Sequence, residues 1–259
     1  MQPRGRNVAG EEAFRAAGRC TLFVTILLAA TPARAACGTG DLGAAQIAAV
    51  RDDATLLLTD GRELRLAGIV PGPVAPSILG TFKGRPLRLT AAATPATDRY
   101  GRLIAFAAAD DTNLEGSLVS QGAARVSARA GGLACAESLQ KLESEAREAR
   151  LGLWADPNFA PLPANPGPWM QTDLGRFVLV EGKVLSVRQS GGTIYVNFGR
   201  RWTRDFSAII PRRLQAGFRA AGRDPQSFAG RRIRVRGCLE RRTGPVVEVT
   251  APEQVELLD

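Results

Sequence analysis

The chain has 259 residues, 45% of them hydrophobic and 23% charged, with a formal net charge of +9. This composition excludes a disordered or collagen-like chain, and the length suits one large domain or two small ones. No histidine occurs, which removes the commonest general base and every Ser-His or Cys-His nucleophile pair.

The N-terminal stretch reads as a targeting segment. Arg4, Arg6, Arg15 and Arg19 precede an apolar run over residues 21–30, and Ala33-Arg34-Ala35 puts small residues at both positions a signal peptidase reads. A bilayer span needs about 20 residues, more than this run offers. The expectation is a signal over residues 1–35, cleaved after Ala35, an exported (periplasmic or secreted) protein, and no transmembrane anchor after cleavage. Cys37, Cys135 and Cys238 then remain, and an oxidising compartment permits one disulfide and leaves one thiol. Their wide spacing gives no zinc pattern.

Charge is unevenly placed. Residues 36–176 carry 14 basic and 15 acidic side chains, whereas 177–259 carry 15 basic and 8 acidic. A basic C-terminal third suits a polyanionic partner, although such surfaces also simply keep proteins soluble.

In chain order, Leu56, Leu57 and Leu58 lead to Asp60-Gly61, and Leu64, Leu66 and Ile69 follow; Asp-Gly between apolar runs is a hairpin signal. A second strand pair is expected at 86–90 and 103–107, and a short helix at 114–121 closed by Gly122. After Cys135 the period changes: Leu139, Leu142, Ala146, Ala149 and Leu153 recur at steps of three and four, one face of a helix. Pro157, Pro161, Pro163, Pro166 and Pro168 then mark residues 157–171 as a stiff, extended linker. Beyond it, strands are expected at 177–188, 193–198, 206–210, 231–240 and 246–250, with a helix at 212–221. The reading is mainly β (α+β), with one domain at 36–156 and another at 172–259. Five strands with a helix between the third and fourth is the OB arrangement, so the second domain is expected to be a smaller OB-like barrel.

Four ordered segments carry a resemblance. They are Asp60 to Ile69 (DGRELRLAGI), Asp98-Arg99-Tyr100-Gly101-Arg102-Leu103, Leu118 to Val126 (LVSQGAARV), and Ala149 to Trp154 (ARLGLW). Through them the first domain resembles the staphylococcal nuclease (thermonuclease) family; through Tyr195-Val196-Asn197-Phe198-Gly199, Asp205-Phe206 and the closing Pro252 to Leu257 (PEQVEL), the second resembles a C-terminal extension of some exported bacterial relatives. The resemblance implies an OB-type five-stranded barrel with packed helices, and a phosphodiesterase chemistry that uses calcium, an activating carboxylate and two arginines on the phosphate.

The arginines are retained: Arg65 and Arg102 match the family's phosphate contacts. The carboxylates are not. Ala54 and Val70 stand where the family has metal-ligating Asp, and Pro73 stands where it has the catalytic Glu. No Asp or Glu occurs from 64 to 97, so no shift of alignment restores the latter two. Asp53 is adjacent to Ala54 but would face the opposite side of a strand. Two nucleotide-holding aromatic positions are Ala128 and Ala130, and the helix after Pro73 is cut to about 74–83 with Pro76 inside it. Calcium is a hard cation that needs oxygen ligands, so no metal and no cofactor are expected.

The resulting expectation is an exported nuclease-fold protein without catalysis that binds nucleic acid or another polyanion. Arg232, Arg234 and Arg236 alternate along one strand, so they share a face and form a candidate phosphate-tracking stripe; a solvated strand edge is the plain alternative. Trp202 and Tyr195 are candidate base-stacking rings, and Phe198 is assigned to the core. Two other functional readings stand beside this one: an active metal-dependent phosphodiesterase on DNA or RNA, and an envelope scaffold or protein-interaction module. Cys37, just ahead of the first strand, and Cys135, at the start of the last helix of the same domain, are expected to pair, leaving Cys238 free in the other domain.

Overall fold

A computed structural model describes residues 37–52, 55–93 and 95–258. The expected signal segment, and also Asp53 and Ala54, lie outside the described residues. Among the described residues no helix is long and apolar enough to cross a membrane.

The first sheet begins with β1 (Gly40–Val50), β2 (Thr55–Leu58) and β3 (Glu63–Leu66), an antiparallel meander whose Leu56, Leu58, Leu64 and Leu66 are buried. The Asp60-Gly61 turn is present. Gly61 takes φ 85°, which a side chain would resist, and the Asp60 carboxylate accepts the Arg62 N–H at 3.0 Å. Next come β4 (Ile69–Pro71), α1 (Ala75–Gly80), β5 (Pro86–Ala91), β6 (Leu103–Ala109) and β7 (Thr112–Asn113). α2 (Leu114–Ser120), β8 (Ala124–Val126) and α3 (Leu133–Glu148) complete this half. The strands run in the order β3-β2-β1-β5-β6, and β6 returns to β3 in parallel, Leu64 opposite Leu103 and Leu66 opposite Ala105. This is a closed five-stranded barrel with helices packed against it, as expected. Cys37 and Cys135 are disulfide-bonded, tying the chain ahead of β1 to α3, and Cys238 is a free, exposed thiol.

The 157–171 segment departs from the expected extended spacer. Residues Pro157–Phe159 form a 3-10 turn, β9 (Leu162–Pro163) pairs in parallel with Val180 and Glu181, and α4 (Trp169–Thr172) buries Trp169 and Met170. Three of the five prolines fit these elements directly: Pro163 sits at a sheet edge, and Pro157 and Pro168 at helical starts, where no N–H is needed. The segment is a packed strap.

A second sheet-rich region follows, with β10 (Phe177–Lys183), β11 (Ser186–Ser190), β12 (Thr193–Asn197), β13 (Ser207–Pro211), α5 (Gln215–Ala220), β14 (Arg232–Arg241), β15 (Pro245–Glu248) and β16 (Val255–Leu257). The strand expected over 177–188 is broken at Val184 and Leu185, where the chain changes partner: β10 pairs with β14, and β11 with β12. The order β11-β12-β13-β15-β14-β10, with β13 and β15 parallel, repeats the pairing scheme of the first barrel. Its core gathers Phe206, Phe218, Phe228, Val180, Val196 and Ile233, separate from the first core.

Between the two cores lies a buried charge cluster. The Glu143 carboxylate, on α3, accepts the Val126 N–H at 2.7 Å and pairs with Arg236, on β14, at 2.8 Å; both side chains are 0% exposed. The Arg236 guanidinium also donates to the Val126 carbonyl at 2.8 Å and to Glu256. Arg234 bridges Glu181 and Glu256, each at 2.6 Å. Burial works against charge on Arg236, but Glu143 and Glu256 more than offset it and raise its pKa above the ordinary value. Burial likewise opposes the Glu256 carboxylate, and Arg236 and Arg234 hold its pKa below the usual range. Arg125 donates to the Phe177 carbonyl at 2.9 Å while lying over the Phe159 and Phe177 rings, and Gln140 donates to the Glu253 carbonyl at 2.9 Å.

The expected phosphate stripe is therefore absent. Arg232 is exposed, but Arg234 and Arg236 are buried and consumed by carboxylates. The physical reason is that β14 is an interior strand, paired with β10, β15 and β16, and the face its arginines share is turned toward the first barrel.

Two outcomes are expected. Glu143→Ala leaves a buried guanidinium and the Val126 N–H short of a partner and should cost about 3–5 kcal/mol in urea melts. Glu115, fully buried on α2, accepts the Ala107 N–H, and burial pushes its carboxyl up from 4.5 to about 8. A raised acid binds its proton in the folded state, so this contribution is full below pH 4.5 and is lost as pH rises through about 8. Glu115→Gln should flatten that fall in melts taken across the same range.

Candidate ligand-binding groove and nuclease-like site

The positions matching the nuclease chemistry lie on the first barrel. Arg65 is exposed on β3, opposite Thr55 and Ile104. Arg102 is tied into its own turn: Nε and Nη2 reach Asp98 at 2.8 and 2.7 Å, and its guanidinium lies 5.1 Å from the Tyr100 ring centroid. The same carboxylate accepts the Tyr100 and Arg102 backbone N–H groups at 2.8 and 3.1 Å, so Asp98 shapes the turn. Opposed desolvation is outweighed by these donors, and the Asp98 carboxyl sits below its usual range.

The acidic half of the site does not accompany them. Val70 is half-buried on β4, Pro73 is exposed ahead of α1, and Asp52 accepts the Thr55 N–H at 2.7 Å. α1 is short, with Pro76 in its first turn, and Ala130 is a core residue. Among the described residues no group of three His, Cys, Asp or Glu side chains is placed to hold a metal. Hydrocarbon at Val70 and Pro73 offers calcium no oxygen, so the residues present do not fit the ion that the resemblance implies.

The other candidate is a groove of about 770 Å³ on the second region. Its floor is the outer face of β11, β12, β13 and β15. Residues opposite one another across a ladder share a face. One row is therefore Arg188, Tyr195 and Ile209, and the next is Ser186, Asn197, Ser207 and Val246. Ser207 Oγ donates to Asn197 Oδ1 at 3.0 Å, a polar floor of small side chains that leaves room above it. The walls are the loop of Arg200 and Trp202 and the hairpin of Arg242, Thr243 and Gly244.

Trp202 is 65% exposed, yet its loop is braced. The Asp205 carboxylate accepts the Arg201 N–H at 2.7 Å, and the Asp205 N–H donates to the Arg201 carbonyl at 2.7 Å. Gly199 has no room for a Cβ, which would meet Asp205 Oδ2 at 2.0 Å, and a Cβ on Gly244 would meet the Trp202 carbonyl oxygen at 2.3 Å. Gly199 thus lets its own loop fold onto Asp205, and Gly244 lets the hairpin close on the Trp202 loop. Arg242 is held by Glu248 and Glu240, so it is wall more than free cation.

The structure thus brings Trp202 and Tyr195 into one groove, and removes Arg234 and Arg236 from any surface site. Phe198 packs on Phe206, ring centroids 5.2 Å apart, as assigned. Sequence reasoning missed Arg188 and Arg200. Arg188 shares a cross-strand pair with Tyr195, and that register is the signal which could have placed it.

The family model described as staphylococcal nuclease homologue matches residues 85–156. No curated protein matches the chain. A staphylococcal nuclease-like domain is therefore present, in a mostly β protein with a closed five-strand barrel and a second sheet-rich region. The match spans β5 to the turn at Trp154 and includes Arg102. Ala54, Val70 and Pro73 all precede it.

Gly244→Ala should force the two groove loops apart. The expected result is a loss of about 1–3 kcal/mol in thermal melts, with a shift in tryptophan emission, because Trp154 and Trp169 are buried and Trp202 is not.

Proposed function

We propose that this protein is an exported, non-catalytic member of the nuclease-fold type that binds nucleic acid or another polyanion. The observation that carries the reading is the split between its phosphate and metal halves: Arg65 and Arg102 remain, while Val70 and Pro73 present hydrocarbon where a metal ligand and a base would be needed. Arginines without those carboxylates can hold phosphate but have no route to an activated water. Each such electrostatic element is worth about 3 kcal/mol, so their joint loss removes cleavage by many orders of magnitude.

The second region supports the binding half of the proposal. Taking β10 and β11 as one interrupted strand, its pairing is that of a smaller OB-like barrel, and the groove lies on the face of strands two and three, where that fold takes oligomeric ligands. The excess of basic over acidic residues in 177–259 suits an anionic one.

The test is an assay of plasmid and single-stranded DNA with the full chain in Ca²⁺, Mg²⁺ and Mn²⁺. No metal-dependent cleavage is expected. Robust cleavage that Arg65→Ala or Arg102→Ala abolishes would restore an active phosphodiesterase. Failure to bind any polyanion at low salt would favour a scaffold role.

A further inference from the structure

We infer that the groove of the second region is a site for single-stranded nucleic acid, with bases stacked on Trp202 and Tyr195 and phosphates held by Arg188 and Arg200. This rests on the polyanion reading above and narrows it to one class of ligand.

Three of the large apolar side chains that the protein exposes, Leu185, Tyr195 and Trp202, line this one groove. Solvent-facing aromatics gathered in a concavity mark a ligand site more often than chance exposure does. Trp202 does not owe its exposure to a loose loop, since the Asp205 bridge and the close approach at Gly244 hold its backbone. The ring is preorganised, and little ordering cost remains when a flat partner lands on it.

Cations complete the chemistry. Arg188 lies beside Tyr195 in the strand register, and Arg200 is two residues from Trp202, so each ring has a guanidinium close to it along the backbone. Unlike Arg242, neither makes an ion pair with a described residue. Alternating planar faces and positive charge match a strand whose bases are splayed from a phosphate backbone. A duplex keeps its base faces stacked inside, and a polyphosphate or sulfated polysaccharide has no aromatic plane to offer. Either would leave both rings unused.

The chain has three tryptophans, of which Trp154 is 6% and Trp169 8% exposed, so a ligand-induced emission change reports Trp202. The full chain is titrated with oligo-dT, duplex DNA of equal length, heparin and polyphosphate at low salt. Oligo-dT should quench the emission and bind tightest, losing affinity steeply toward about 200 mM salt. Trp202→Ala should weaken oligo-dT binding about tenfold, and Trp202→Phe should keep most of it; Arg188→Ala with Arg200→Ala should lower the salt slope by about two. Thermal melts verify that these exposed-site variants stay folded. Oligo-dT binding without quenching, or unaffected by Trp202→Ala, overturns the inference and leaves the polyanion reading standing. Heparin or polyphosphate binding as tightly as oligo-dT does the same. Absence of binding to all four overturns both.

Discussion

The contact on which this architecture turns is the buried pair of Glu143 and Arg236. Neither charge has water to fall back on, so each is tolerable only because the other is in place. Glu143 accepts the Val126 N–H and Arg236 donates to the Val126 carbonyl. One residue of β8 thus has both backbone groups satisfied across the junction of α3 and β14. Arg236 also reaches Glu256, which reaches Arg234, which reaches Glu181. The pair, through this chain of carboxylates and guanidiniums, joins two hydrophobic cores that share no residue.

That junction changes what the basic C-terminal region means. Its net positive charge suggests an open cationic surface, yet two of the arginines that contribute most to the pattern serve internal carboxylates. Among the cations that stay exposed are Arg188 and Arg200, which line the groove. The strap over residues 157–171 belongs to the same joint. Phe159 packs with Ala146, Trp154 and Leu179, and Trp169 enters the second core beside Phe206. Of the prolines that read as a spacer, Pro163 lies in an edge strand and Pro157 and Pro168 begin helical turns.

The first barrel keeps the frame of a nuclease-like domain while its acidic positions are empty of oxygen. Asp98 shows how a motif can persist for shape. Its carboxylate collects the backbone N–H groups of Tyr100 and Arg102 and the Arg102 side chain as well. The D-R-Y-G-R turn therefore has a structural use independent of phosphate, and its presence does not by itself imply catalysis.

By itself the sequence determined what local chemistry controls. The Asp60-Gly61 turn, the helical period from Leu139 to Ala146, and the paired strands around Leu56 and Leu64 were all legible because the periods of strand and helix differ and turn residues are few. So was the Cys37–Cys135 bond, and residue identity alone shows that Ala54, Val70 and Pro73 carry no carboxylate. Other features waited on the tertiary structure. β1 is rich in Gly and Ala, with Ile47 its one fully buried side chain, and it is a strand because β2 and β5 supply ladders on both sides. The alternation of Arg232, Arg234 and Arg236 correctly put them on one face, but period alone cannot say whether a face meets water or another carboxylate. That depends on where α3, some ninety residues earlier in the chain, is brought to lie. The groove is the same case: Trp202 could be singled out from its type, but its company of Tyr195, Arg188 and Arg200 exists only once strand register and two glycine contacts have set the loops.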